Sequence, residues 1–165
     1  MASAAAARND RSIRTWPTNP MSLPQQSDKV LQAHRSFVLS LDFSPDDSNL
    51  LASGDSWAVK LWSVEQEVRT CNFDHACGRT WSLHFSALEE GCKRIFATSK
   101  RSLIRTCSDD LSGITSDIVD TPGLVQVQRS AISCCGSLLA ASGSRGGHAV
   151  TLCDMANMAV AQRPS

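Results

Sequence analysis

The chain has 165 residues, and its 16 Lys and Arg are balanced by 16 Asp and Glu, so the formal net charge is zero. That length allows one core-bearing domain, and bulk charge favours neither nucleic acid nor a membrane surface as partner. No apolar run is long enough for a transmembrane helix; the start MASAAAARND lacks the apolar stretch of a secretory signal, while its Ala, Ser and Arg content leaves an organelle transit peptide open.

In chain order, the first predicted element is SIRTW (12–16). It is the first of four similar segments, followed by AVKLW (58–62), LIRTC (103–107) and AVTLC (149–153). Their last residues, Trp16, Trp62, Cys107 and Cys153, are separated by 46, 45 and 46 residues. A fixed period of this size is the mark of a repeat architecture. MAS (1–3) reads either as the tail of a strand feeding SIRTW or as a start methionine with an alanine tail.

Residues 34–75 form the cleanest unit. Phe37, Leu39, Leu41 and Phe43 alternate with polar or smaller residues, the period of a strand. SPDDSN is turn chemistry, NLLASG a short apolar strand, AVKLW a third strand and EVRTCNF a fourth. The next unit repeats the order. Trp81, Leu83 and Phe85 fall in phase with Leu39, Leu41 and Phe43, RIFATS parallels NLLASG with Ala97 in the place of Ala52, and SLIRTC and GITSDIV follow. A last unit runs VQRSAISCCG, SLLAASGS, HAVTLC and MAVAQ. The expected organisation is a partial blade over 1–33 holding its third and fourth strands, a blade over 34–75, and degenerate blades over 76–122 and 123–165.

These motifs resemble the WD-repeat β-propellers: FSPDD, LASG and VKLW match over residues 43–62, NDRSIRTW over 9–16, and HAVTLCD over 148–154 with Cys for Trp. The resemblance implies an all-β, partial and open propeller of four-stranded antiparallel blades, with no helix beyond a turn. It also implies a structural hydrogen-bond network. By matching position this takes His34, Ser53, Asp55 and Trp62 in the best repeat, with Asp55 one residue out of register because its turn is a residue short. It takes His75 and Thr98 in the next repeat, and Asp10 and Trp16 in the first. About 45 residues per blade gives three and a half blades, against the seven of a usual closed ring. Three explanations follow: a piece of a longer WD-repeat protein, a ring closed by self-association or by another partial propeller, or an open arc with exposed edges.

The same topology sorts the loops. Arg8, Arg11, Arg35, Arg79, Lys100, Arg101 and Arg145 fall on the top rim with four acids, and nine acids fall on the bottom with Lys93 and Arg94. Either zero net charge hides a polar disc, or loop charges scatter by chance. Trp57, at the tip of a turn, reads as an interface anchor or as a plug folded onto the strands. The expected function is a non-catalytic scaffold or adaptor that binds proteins through Arg35, Trp57, Arg79, Arg101 and Arg145, with acidic or phosphorylated segments as partners. The alternative is nucleic-acid or phosphate-ligand binding by the basic rim, which lacks interleaved aromatics. No phosphate loop, nucleophile elbow or spaced metal cluster occurs, so no catalytic residue, metal or cofactor is expected. Seven cysteines without a C-x-x-C pair fit a reducing compartment, cytoplasm or nucleus.

Overall fold

The structure, a computed structural model, describes residues 3–7, 9–17, 29–45, 47, 49–74, 78–89, 92–99, 102–108, 115–120, 127–133, 136–143, 150–155 and 159–162. Every element among them is a strand. The first sheet holds β1 (Ser3–Ala7), β2 (Ser12–Pro17) and β3 (Lys29–Gln32). The second holds β4 (Ser40–Phe43), β5 (Leu50–Gly54), β6 (Ala58–Ser63) and β7 (Val68–Asp74). The third holds β8 (Ser82–Glu89), β9 (Cys92–Thr98), β10 (Ser102–Ser108) and β11 (Thr115–Asp120). The fourth holds β12 (Val127–Ile132), β13 (Leu138–Gly143), β14 (Val150–Asp154) and β15 (Ala159–Gln162). All pairings are antiparallel and run in chain order, so each sheet is a meander.

The turns form for local reasons. After β4, Asp47 accepts from the Asn49 backbone N–H at 2.9 Å, and Ser44 N–H closes the hairpin onto Leu50 O at 2.9 Å. After β12, Gly136 takes a φ of 71°, in the left-handed region that glycine enters without strain, and its N–H bonds Ser133 O.

Four stacked sheets have three boundaries, and each holds one apolar layer. Ile13, Leu31, Val38, Leu51, Trp62 and Val64 fill the first. Leu50, Ala52, Val59, Leu61, Phe73, Leu83, Phe85, Ile95 and Ala97 fill the second. Phe96, Val127, Leu139, Ala141, Cys153 and Met155 fill the third. Strands β5 and β6 are buried along their whole length because a sheet covers each face. The outer strand β7 buries only Phe73 fully. Burial pushes the Cys153 thiol up, so it stays a neutral, apolar filler.

Three sequence expectations change. The first sheet carries three strands rather than two, because Ser3–Ala7 pairs with β2 from Ser3 opposite Pro17 to Ala7 opposite Ile13. The alternation at Phe37 does not continue a strand: β4 starts at Ser40, Phe37 is 55% exposed, and Val38 is the residue that turns inward. Ala52 and Ala97 are equivalent by spacing, yet both lie in the second layer, from sheets on opposite sides of it. Leu41 faces Ser53, whereas Leu83 faces Ala97 rather than Thr98. A slip of one residue reverses every side chain of a strand. Phe96 lies between Ile95 and Ala97, and all three are apolar and buried, so alternation across this part of β9 does not hold its register. The hairpin also differs, with β8 and β9 joined by two residues and bulged between Ser86 and Glu89.

Candidate functional site

The turn between β5 and β6 is three residues long, and Asp55 organises it. Its Oδ1 accepts from the backbone N–H groups of Trp57 at 2.6 Å and Ala58 at 2.8 Å. Its Oδ2 lies 2.7 Å from His34 Nδ1. His34 Nε2 is 2.6 Å from Ser53 Oγ, and Trp62 Nε1–H donates to the same oxygen at 2.7 Å. One proton arrangement satisfies every group: Trp62 donates to Ser53, Ser53 O–H donates to His34 Nε2, and His34 Nδ1–H donates to Asp55. All four side chains are buried, so each needs the partner it has. Burial alone pushes the Asp55 carboxyl up, but the hydrogen bonds from His34, Trp57 and Ala58 overrule it and hold the pKa at about 2. Ser, His and Asp are also the members of a nucleophilic triad, but here Ser53 Oγ is engaged by Trp62 and Ser53 is 0% exposed.

Asp55 also joins three loops. Its backbone carbonyl accepts from Thr80 N–H at 3.0 Å, across the boundary to the third sheet. Arg35 follows His34, Trp57 follows Asp55 by two residues, and Arg79 precedes Thr80. Each rim candidate in this region is therefore within two residues of a group bonded to Asp55. Arg35 and Arg79 are exposed, and Trp57 is 62% exposed, standing out from the strands rather than plugging them. Arg79 packs its guanidinium over the ring of Trp81, 5.5 Å from the centroid, a contact that restricts the arginine. Arg101 and Arg145 lie outside the described residues.

The other network candidates are placed differently. Thr98 is buried but belongs to the boundary with the fourth sheet, where its Oγ1 lies 3.5 Å from Ser82 O and 3.4 Å from Ser130 Oγ. The β9 slip described above turns it away from the place Ser53 holds. His75 lies outside the described residues. In the first sheet Asp10 accepts from Ser12 N–H at 3.0 Å and from Ser12 Oγ at 2.5 Å. Trp16 is half-buried. Ala6 faces Arg14 as Ser53 faces Lys60, so the hydroxyl that holds Trp62 has no counterpart beside Trp16.

Sequence reasoning passed over Lys60. It is buried on β6 and donates to Asn72 Oδ1, and burial, with Arg69 and Arg35 nearby, pulls its pKa down. The VKLW motif marks the position, but nothing local shows that the ammonium is enclosed. Among the described residues no cluster of His, Cys, Asp and Glu is arranged to hold a metal ion.

The fold and its relatives agree on a class: the chain is a partial, open WD-repeat β-propeller. Over 61 residues, 37% of the chain, it is 38% identical to WD repeat and SOCS box-containing protein 1 of Mus musculus and 36% identical to that of Homo sapiens. The matched stretch covers 14% of the length of those curated relatives. Among solved structures, a chain in the crystal structure of the mitotic checkpoint complex superposes with a TM-score of 0.70 at 25% identity, over 84% of this chain and 42% of that one. The Myceliophteria thermophila Cps50 (Swd1) β-propeller domain superposes with a TM-score of 0.76 at 15% identity, over 97% of this chain and 50% of that one. No family model matches the chain.

Proposed function

We propose that the chain is a non-catalytic interaction scaffold that docks acidic or phosphorylated protein segments on the rim around Asp55. The observation that carries this reading is Trp57, 62% exposed at the tip of a turn whose base is locked by a buried carboxylate. A large aromatic held on a rigid base contributes contact area at little ordering cost. Arg35 and Arg79 bracket it on neighbouring loops, and guanidinium forks suit carboxylate and phosphate. WD-repeat relatives and a neighbour from a multi-protein complex support a protein partner. Cytoplasm or nucleus is the compartment proposed, supported by seven cysteines, an odd number, without a C-x-x-C pair.

Association and dissociation rates for acidic and phosphorylated peptides, measured at two ionic strengths, test the reading. Arg35→Glu with Arg79→Glu slows association, more at low salt, and Trp57→Ala speeds dissociation. Unchanged rates in both variants, or binding lost only on reversing Glu65 and Glu67, overturn it. A salt-sensitive mobility shift with RNA that Trp57→Ala leaves intact moves the assignment to nucleic acid.

A further inference from the structure

Among the described Phe and Trp residues, Phe37 and Trp57 are the two that stand exposed, at 55% and 62%. Both lie on the same rim, on loops tied to the same dipeptide. Leu39 N–H, two residues after Phe37, donates to Gly54 O at 2.8 Å, and Trp57 N–H donates to Asp55 Oδ1 at 2.6 Å. Each is also pinned from both sides. Phe37 rises between the buried His34 and Val38, and Trp57 between the buried Asp55 and Ala58. Single apolar residues scattered on a surface are ordinary, but two aromatics fixed beside one dipeptide are not a scatter. Held on pinned backbone, they offer contact area with little ordering left to lose on binding.

The charges around this pair are mixed. Arg35 lies two residues before Phe37 and is exposed, and Arg79, also exposed, packs over the half-buried Trp81. On the other side the exposed Asp74 pairs across the ladder with Ala58, the residue after Trp57. Bases with an acid among them suit the separate side chains of a peptide. An anionic lipid layer or a phosphate backbone is negative throughout and meets Asp74 as a like charge.

We propose that Phe37 and Trp57 together receive one large apolar side chain of the partner, set within an acidic segment whose carboxylates reach Arg35 and Arg79. This rests on the reading of the rim as a docking face for acidic segments and adds to it what that face selects. Acid alone is a weak ligand, because exposed charge pairs contribute little. An apolar residue between the acids is what the aromatic pair reads, and Phe37 is a second anchor beside Trp57.

The probes are two labelled nonapeptides, acidic throughout except at the centre, which is leucine in one and glycine in the other. Their affinities for the intact chain are read by fluorescence anisotropy. The leucine peptide is expected to bind about tenfold more tightly, the gain from burying one aliphatic side chain. Phe37→Ala removes most of that advantage and leaves the glycine peptide's affinity unchanged. Adding Trp57→Ala costs less in the Phe37→Ala background than in wild type, because both rings touch the same leucine. The first comparison varies only the peptide, so the protein's fold is untouched in it. Equal binding of the two peptides, or a leucine advantage that survives Phe37→Ala, overturns the proposal while the acid-binding rim stands. Failure of both peptides to bind sinks the rim reading and the proposal with it. Co-sedimentation with equimolar phosphatidylserine and phosphatidylcholine vesicles that Phe37→Ala abolishes assigns the pair to a membrane surface and overturns the proposal as well.

Discussion

Gly54 and Thr80 meet across the boundary between the second and third sheets so closely that a Cβ on Gly54 would lie 2.6 Å from Thr80 Cγ2 and 2.7 Å from Ser40 Oγ. The glycine serves close approach of two sheets; its φ is ordinary for a strand. Thr80 is fully buried and bonded through its N–H to Asp55 O, so it cannot step aside. Gly54→Ala is expected to cost about 1–3 kcal/mol by overpacking. Thr80→Ser, which removes Cγ2, recovers part of that loss in the double variant. Urea unfolding midpoints of the two single variants and the double measure it.

Trp62 is 2% exposed and is the donor that fixes Ser53. Trp62→Ala is expected to cost about 3–5 kcal/mol, as large-to-small core changes do. Trp62→Phe keeps most of the packing but removes the N–H, and costs about 1–2 kcal/mol. If chemical denaturation places the two variants together near wild type, the layer between the first and second sheets does not depend on this residue.

Asp55 sets an acid limit. Its folded pKa of about 2 lies below the ordinary 3.8, so the folded state prefers the carboxylate. Its contribution is fully present above about pH 4 and is lost as pH falls toward 2; at neutral pH it amounts to about 2 kcal/mol. Asp42 acts the other way, because burial raises its pKa and protonation favours the fold. Asp55→Asn is expected to lower stability at pH 7 and to flatten the decline between pH 4 and 2. An unchanged acid slope contradicts the assignment.

Lys60 is enclosed and bonded to a neutral amide, and burial with Arg69 and Arg35 nearby outweighs the opposing pull of Asp55 and Asp74. Its lowered pKa means that the folded state prefers the uncharged amine, so this residue's contribution improves as pH rises through the folded pKa toward 10.5. Lys60→Met keeps the stem and removes the buried charge. It is expected to be neutral or stabilising at pH 7 by about 1 kcal/mol. Thermal unfolding at pH 7 and pH 10 checks it, and the advantage over wild type shrinks at the higher pH.

Trp57 and Arg35 are exposed, so replacing them touches no core. Trp57→Ala and Arg35→Glu are expected to move stability by no more than about 0.5 kcal/mol. A binding defect in either is then a surface effect. A melting temperature that falls by many degrees would show that the rim loops hold the sheets together.

Strand content, turn positions and the period were legible before any coordinates, because each rests on near neighbours: alternation along a strand, Asp and Asn in turns, a motif every 45 or 46 residues. His34, Ser53, Asp55 and Trp62 could be named as a set by motif position. Their convergence within 2.7 Å contacts is a tertiary fact, and it depends on a three-residue turn carrying Asp55 back to His34. The face that β9 presents was beyond local reading. Ile95, Phe96 and Ala97 are apolar on both sides, so alternation chooses neither register, and the hairpin to β8 decides that Thr98 meets Ser130. Exposure was beyond it as well. Whether Trp57 stands out and whether Lys60 is enclosed depends on where neighbouring loops and sheets come to rest. Local chemistry thus determined what the elements are, and packing between sheets decided which way each side chain faces.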